Sequence, residues 1–161
     1  MKKYIFIFNC NTVTYLFFMF IFLLQISCKK DKRSEPLEKI STVPEIEIVS
    51  ISPTSINEFD EVIITIKYTD GDGDLGFEDA DDNSIYVTDN RAGIVNEFHL
   101  GPIAPIGQAI VIEGNLPINL ENVLLLNENQ STEQANFSIQ IKDRAGNLSN
   151  IVTTENISIQ P

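Results

Sequence analysis

From Ile46 onward the apolar residues recur at every second position and no window sustains a 3.6-residue repeat, so strands rather than helices are the expected elements. The clearest run is 61–69. Val62, Ile64, Ile66 and Tyr68 share one face while Ile63, Thr65, Lys67 and Thr69 take the other, as a strand with one buried face requires. Comparable runs fall at 46–51, 84–88, 94–100, 108–113, 122–126, 136–142 and 150–159. Turn-forming residues punctuate them: Ser52-Pro53, Asn90 to Gly93, Gly101-Pro102, Gly114 to Pro117 and Ala145-Gly146-Asn147. About eight short strands without a helical segment predict an all-β, antiparallel β-sandwich over residues 46–161.

Ahead of this region the pattern changes. Met1-Lys2-Lys3 is a short basic start, and the apolar block 15–24 that follows is about ten residues, the layout of a signal peptide. The block ends in Leu23-Leu24-Gln25-Ile26-Ser27-Cys28, which resembles a lipobox. Gln25 departs from the leucine that the motif prefers there. The resemblance implies cleavage before Cys28 and transfer of lipid to its sulfur, with an uncleaved helical anchor and ordinary secretion as the alternatives. Three acyl chains on one cysteine exceed what stable anchoring needs, at about 0.8 kcal/mol per buried methylene. Residues 29–44 (KKDKRSEPLEKISTVP) are charged, bounded by proline and without apolar periodicity, the pattern of a flexible tether. The expected organisation is therefore a lipoprotein signal peptide at 1–27, the lipidated cysteine and tether at 28–45, and the sandwich domain at 46–161.

Charge narrows the partners. The formal net charge of −12 becomes −14 once residues 1–27, which carry only Lys2 and Lys3, are set aside. Such a domain repels phosphate backbones, so nucleic acid is excluded as a partner, while cations and basic protein surfaces are favoured. The two cysteines, Cys10 and Cys28, both precede the domain, which therefore relies on its apolar core rather than on disulfides.

Two stretches carry a resemblance at the level of the fold. Glu58-Phe59-Asp60-Glu61-Val62-Ile63-Ile64-Thr65-Ile66, and Phe137 to Asn150 with its D-x-A-G-N turn at Asp143 to Asn147, are similar to the second strand and the final hairpin of bacterial immunoglobulin-like domains. With the lipobox, the DGDGDLG segment at 70–76 resembles a family of small Bacteroidetes-type outer-membrane lipoproteins whose immunoglobulin-like sandwich carries the same loop. That resemblance implies a lipid-anchored outer-membrane protein with a monomeric domain, facing either the periplasm or the exterior, and no established activity.

The acidic loop is the candidate chemistry. Asp70, Asp72, Asp74, Glu78, Asp79, Asp81 and Asp82 lie within thirteen positions that hold no Lys or Arg. Asp70, Asp72 and Asp74 alternate with Gly71 and Gly73, which can take backbone angles closed to other residues and let the carboxylates curl toward one point. Hard oxygen ligands at this spacing suit Ca²⁺, which takes six to eight oxygens. A helix-loop-helix calcium site is excluded, because Leu75 stands where that loop needs glycine and Asp81 where it prefers glutamate. If the sandwich is immunoglobulin-like, the loop and the last hairpin turn share one end, so Asp143 and Asn147 join Asp79 and Asp81 as candidate ligands. A solvated acidic turn, with Asp and Gly present because turns favour them, is the competing account.

No catalytic constellation accompanies the loop. His99 is the only histidine and the domain has no thiol, which removes a Cys-His pair and leaves His99 a strand residue. The chain has no Trp, and six of its ten Phe precede Cys28, so an aromatic sugar platform has little to build on. The expectation is a non-enzymatic interaction or structural module with an unidentified protein partner. The alternative is an accessory lipoprotein that captures a glycan or small solute for an outer-membrane uptake system.

Overall fold

The computed structural model describes residues 41–127 and 129–161. Cys28, the expected signal peptide and most of the expected tether lie outside the described residues. Among the described residues the chain forms ten strands and no helix, hence none long and apolar enough to cross a membrane. The strands are β1 (Glu45–Ser52), β2 (Ser55–Asn57), β3 (Val62–Asp70), β4 (Ile85–Asp89), β5 (Ile94–Phe98), β6 (Ile112–Leu120), β7 (Glu133–Ala135), β8 (Phe137–Ile141), β9 (Val152–Thr153) and β10 (Ile157–Gln160).

They make three sheets, ordered β1-β3-β6, β2-β10-β7 and β5-β4-β8-β9. The last two adjoin. Only Asn136 separates β7 from β8, and across that break the Thr154 N–H donates to Phe137 O (2.9 Å) while the Phe137 N–H donates to Thr154 Oγ1 (3.0 Å). Inward faces of all three sheets contribute to one apolar core, giving an all-β, sandwich-like fold. Val62, Ile64 and Ile66 of β3 and Ile139 and Ile141 of β8 are completely buried in it. Each such side chain contributes about 1.5–3 kcal/mol by leaving water.

The alternation in β3 is as the sequence predicts, but the strand runs one residue further. Asp70 is the next inward position after Tyr68 and is fully buried. On β8 the stripe Phe137, Ile139, Ile141 likewise continues into Asp143, also fully buried. Two core-facing stripes thus end in a carboxylate, and the isolated bridge Leu75↔Asp143 shows that the ends meet.

Five expectations about the elements are corrected. The sandwich is not purely antiparallel, because β10 pairs in parallel with β2, and the 150–159 run is two short strands, β9 and β10, in different sheets. Gly114 to Pro117 is not a turn but the middle of β6, which pairs with β3 without interruption from Asp70↔Ile112 to Val62↔Leu120. The reason is positional. Strand β6 is a sheet edge, where proline is tolerated, and Gly114 leaves room for the Tyr68 ring, whose hydroxyl oxygen would sit 2.8 Å from a Cβ there. The run at 122–126 forms no strand. Its Val123 and Leu125 are buried as the alternation suggests, but Asn122 has φ of 55° and the segment is pinned to the 58–60 turn instead. The run at 108–113 is strand only from Ile112; the stretch before it crosses the acidic loop.

Folded structure also begins ahead of Ile46. Pro44 is fully buried, and Ser41 O accepts a hydrogen bond of 2.9 Å from the Gly71 N–H.

Candidate metal centre

The 70–76 loop leaves β3 and is held from two sides. From the segment between β5 and β6, the Ile110 N–H donates to Asp72 O (3.3 Å) and the Ile103 N–H to Leu75 O (3.2 Å), while Leu100 O accepts from the Phe77 N–H (2.8 Å). From the turn after β8, the Arg144 N–H donates to Asp74 O (3.1 Å). The Arg144 guanidinium donates to the carbonyls of Leu75 (3.2 Å), Gly76 (2.7 Å) and Gly73 (3.3 Å). Gly73 and Gly76 adopt φ of 70° and 83°, and a Cβ on either would collide with the carbonyl of Ile110 or Gly101. Gly71, expected to share this freedom, does not have a positive φ. Leu75 is buried in the core and closes its end.

These constraints bring three carboxylates together. Asp70, Asp72 and Asp74 each present an oxygen within 4.8 Å of the others. Backbone groups fix two of them from outside: Asp70 Oδ2 accepts from the Asp74 N–H (2.9 Å) and Asp74 Oδ2 from the Ala145 N–H (3.0 Å). The Oδ1 atoms of all three are buried and lack any hydrogen-bond partner. Among the described residues only one other buried side-chain oxygen or nitrogen, Ser84 Oγ, shares that condition. Buried polar atoms are ordinarily paired, so three orphans in one loop require an explanation.

No family model, curated protein or solved structure matches this chain. The reading of the site therefore rests on its own chemistry.

Electrostatics sharpen it. Burial, together with the adjacent Asp72 carboxylate, pushes the Asp70 carboxyl up to about 6, against the opposing pull of the Asp74 N–H. Burial also raises Asp74, helped by the negative charges of Asp143 and Asp72, while the Ala145 N–H and Arg144 pull the other way. Because the Arg144 guanidinium is spent on carbonyls, the cluster gathers negative charge that a cation would relieve. The three acids could hold a metal ion.

The remaining sequence candidates sit as follows. Asp143 is fully buried beside the loop, but its oxygens accept from the Asn147 N–H (2.7 Å) and from Asn147 Nδ2 (2.8 Å). Asp143 and Asn147 thus brace each other, and Asp143 acts on the cluster through its charge. Asp79 and Asp81 are exposed outside the converging group, and Asp79 Oδ1 accepts from the Asp81 N–H (3.0 Å). Arg144 is the residue that sequence reasoning passed over; its position inside the D-x-A-G-N turn was the available signal. His99 is not the strand residue expected, since β5 ends at Phe98; it is exposed, with Nδ1 2.9 Å from Asp82 O.

Proposed function

We propose that the protein is a lipid-anchored outer-membrane protein whose immunoglobulin-like domain is a non-catalytic structural or interaction module, stabilised at one end by calcium. The observation that carries the calcium reading is the clustering of Asp70, Asp72 and Asp74, which each offer an oxygen within 4.8 Å of the others and each keep a buried oxygen without a hydrogen-bond partner. An all-oxygen donor set is the preference of a hard cation. Calcium suits it better than magnesium because it accepts irregular geometry and fills remaining positions with carbonyls or water.

The immunoglobulin-like assignment is supported by the strand order. Strands β1, β3 and β6 form one sheet while β4 and β8 centre the other, and the chain alternates between them much as such domains do. The lipid anchor rests on the lipobox ending at Cys28.

Calorimetric titration of the detergent-purified chain tests the metal. Calcium should bind saturably at one ion per chain and more tightly than magnesium. Asp72→Asn should weaken binding at least tenfold without unfolding the domain, since it also relieves repulsion in the metal-free loop. Absence of saturable calcium heat would return the loop to a solvated acidic turn. The anchor is tested separately: Cys28→Ala should release the protein from the membrane fraction or leave it unprocessed, and a variant that fractionates and migrates as the parent does would remove the lipid reading.

A further inference from the structure

The β5 edge of the sandwich carries a second surface. Among the described residues strand β5 is a sheet edge that pairs only with β4, in unbroken register from Asp89↔Ile94 to Ile85↔Phe98. Other edges are blunted in ways natural sheets use against unwanted pairing. Strand β6 carries Pro117, β1 shifts register between Ile48 and Ser50, and β2, β7 and β9 are three residues long or shorter. Strand β5 has no proline, bulge or lysine, and Ile94 and Val95 are 51% and 48% exposed.

Beside it lies a cleft of about 570 Å³, bounded by β5 on one side and the 119–126 segment on the other. Leu124 and Leu126 offer exposed apolar surface on the far wall, opposite Ile94. That wall is fixed: Arg91 donates to Leu124 O (3.0 Å) while paired with Asp89 (2.6 Å) and Glu133 (3.4 Å). Arg91 is the cation among the lining residues, and two acids neutralise it. Glu97 and Glu121 of the lining form no ion pair among the described residues, although Glu97 accepts from Asn83 Nδ2 (3.2 Å) and feels the Lys142 charge.

We propose that this cleft takes an extended, basic segment of a partner protein, added as a strand alongside β5. Backbone pairing to the free edge would hold the segment, alternate apolar side chains would cover Ile94, Leu124 and Leu126, and Lys or Arg would meet Glu97 and Glu121. A second copy of this chain fits poorly, because the protein carries net charge −12 and each β5 would bring its own Glu97 to the junction. The proposal deepens the interaction-module reading and is separable from the calcium reading, because none of Asp70, Asp72, Asp74 and Asp143 lines the cleft.

The test uses a labelled seven-residue peptide alternating valine and lysine, its valine–glutamate counterpart, and a backbone N-methylated form of the basic peptide. Binding to the full chain is followed by fluorescence anisotropy, and contact by hydrogen exchange. The basic peptide should bind and slow exchange at residues 94–98. The double variant Glu97→Lys/Glu121→Lys, with an unchanged melting temperature, should bind it at least tenfold more weakly and favour the acidic peptide. Three results would each overturn the proposal: no binding up to millimolar peptide, equal binding of the N-methylated form, or indifference to charge reversal. Concentration-dependent self-association that protects 94–98 would assign the edge to a second copy and would also overturn it.

Discussion

Arg144 shows how one side chain decides what a cluster of acids can do. Its guanidinium reaches three carbonyls of the acidic loop and no carboxylate, so it orders the loop backbone while leaving the Oδ1 atoms of Asp70, Asp72 and Asp74 without hydrogen-bond partners. Arg144→Ala would strand those carbonyls and should cost about 1–3 kcal/mol in urea unfolding of the metal-free protein. Arg144→Lys should recover little, because an ammonium cannot reproduce the planar fork that spans Gly73 to Gly76. Full recovery by lysine would mean that only the positive charge matters. At this scale the sequence was partly legible. The spacing of Asp70, Asp72 and Asp74 is visible in it, and counting two residues on from Tyr68 and from Ile141 places Asp70 and Asp143 on inward faces. That Asp143 would be occupied by Asn147, and that Asp79 and Asp81 would point away, depends on turn conformations that period-two patterning does not encode.

At the scale of elements, alternation identified which residues are buried better than which segments pair. Strand β3 reads directly, because both its neighbours supply full-length ladders. The 122–126 run alternates just as cleanly yet is held by loop contacts, since burial imposes period two whether or not a partner strand exists. The converse case is β6, where Gly114 and Pro117 imitate a turn although one yields to the Tyr68 ring and the other lies on an edge strand. Gly114→Val should therefore destabilise the domain by about 1–3 kcal/mol through crowding against Tyr68. Adding Tyr68→Leu should restore part of that loss, and a double-mutant cycle on unfolding midpoints reads the coupling. Additive effects would mean that Gly114 is required for a reason other than the ring. Removal of residues 151–161 should abolish cooperative melting, because Ile157 and Ile159 of β10 are fully buried and β10 ties β2 to β7.

For the whole molecule, the acidic loop couples stability to calcium and to pH in a way that one set of melts can separate. In the metal-free domain Asp70, with its carboxyl pushed up to about 6, and Asp74, also raised, bind protons more tightly than they do in the unfolded chain. Their contribution is fully present below the unfolded value of about 4 and is lost as pH rises through about 6. In EDTA the loop should therefore lower the melting temperature between pH 4.5 and pH 7. Calcium acts oppositely, since it replaces those protons and binds only where the fold gathers the carboxylates. By mass action, calcium at about a hundred times its dissociation constant adds roughly 2.7 kcal/mol. For a domain of this size that corresponds to a rise of about 10 °C. The calcium-induced rise should be largest near pH 7.5 and several-fold smaller at pH 5, where protons compete for the same oxygens. Melting in EDTA, in millimolar calcium and in millimolar magnesium at both pH values measures this. A calcium rise that is equal at the two pH values would place the ion elsewhere than on Asp70, Asp72 and Asp74.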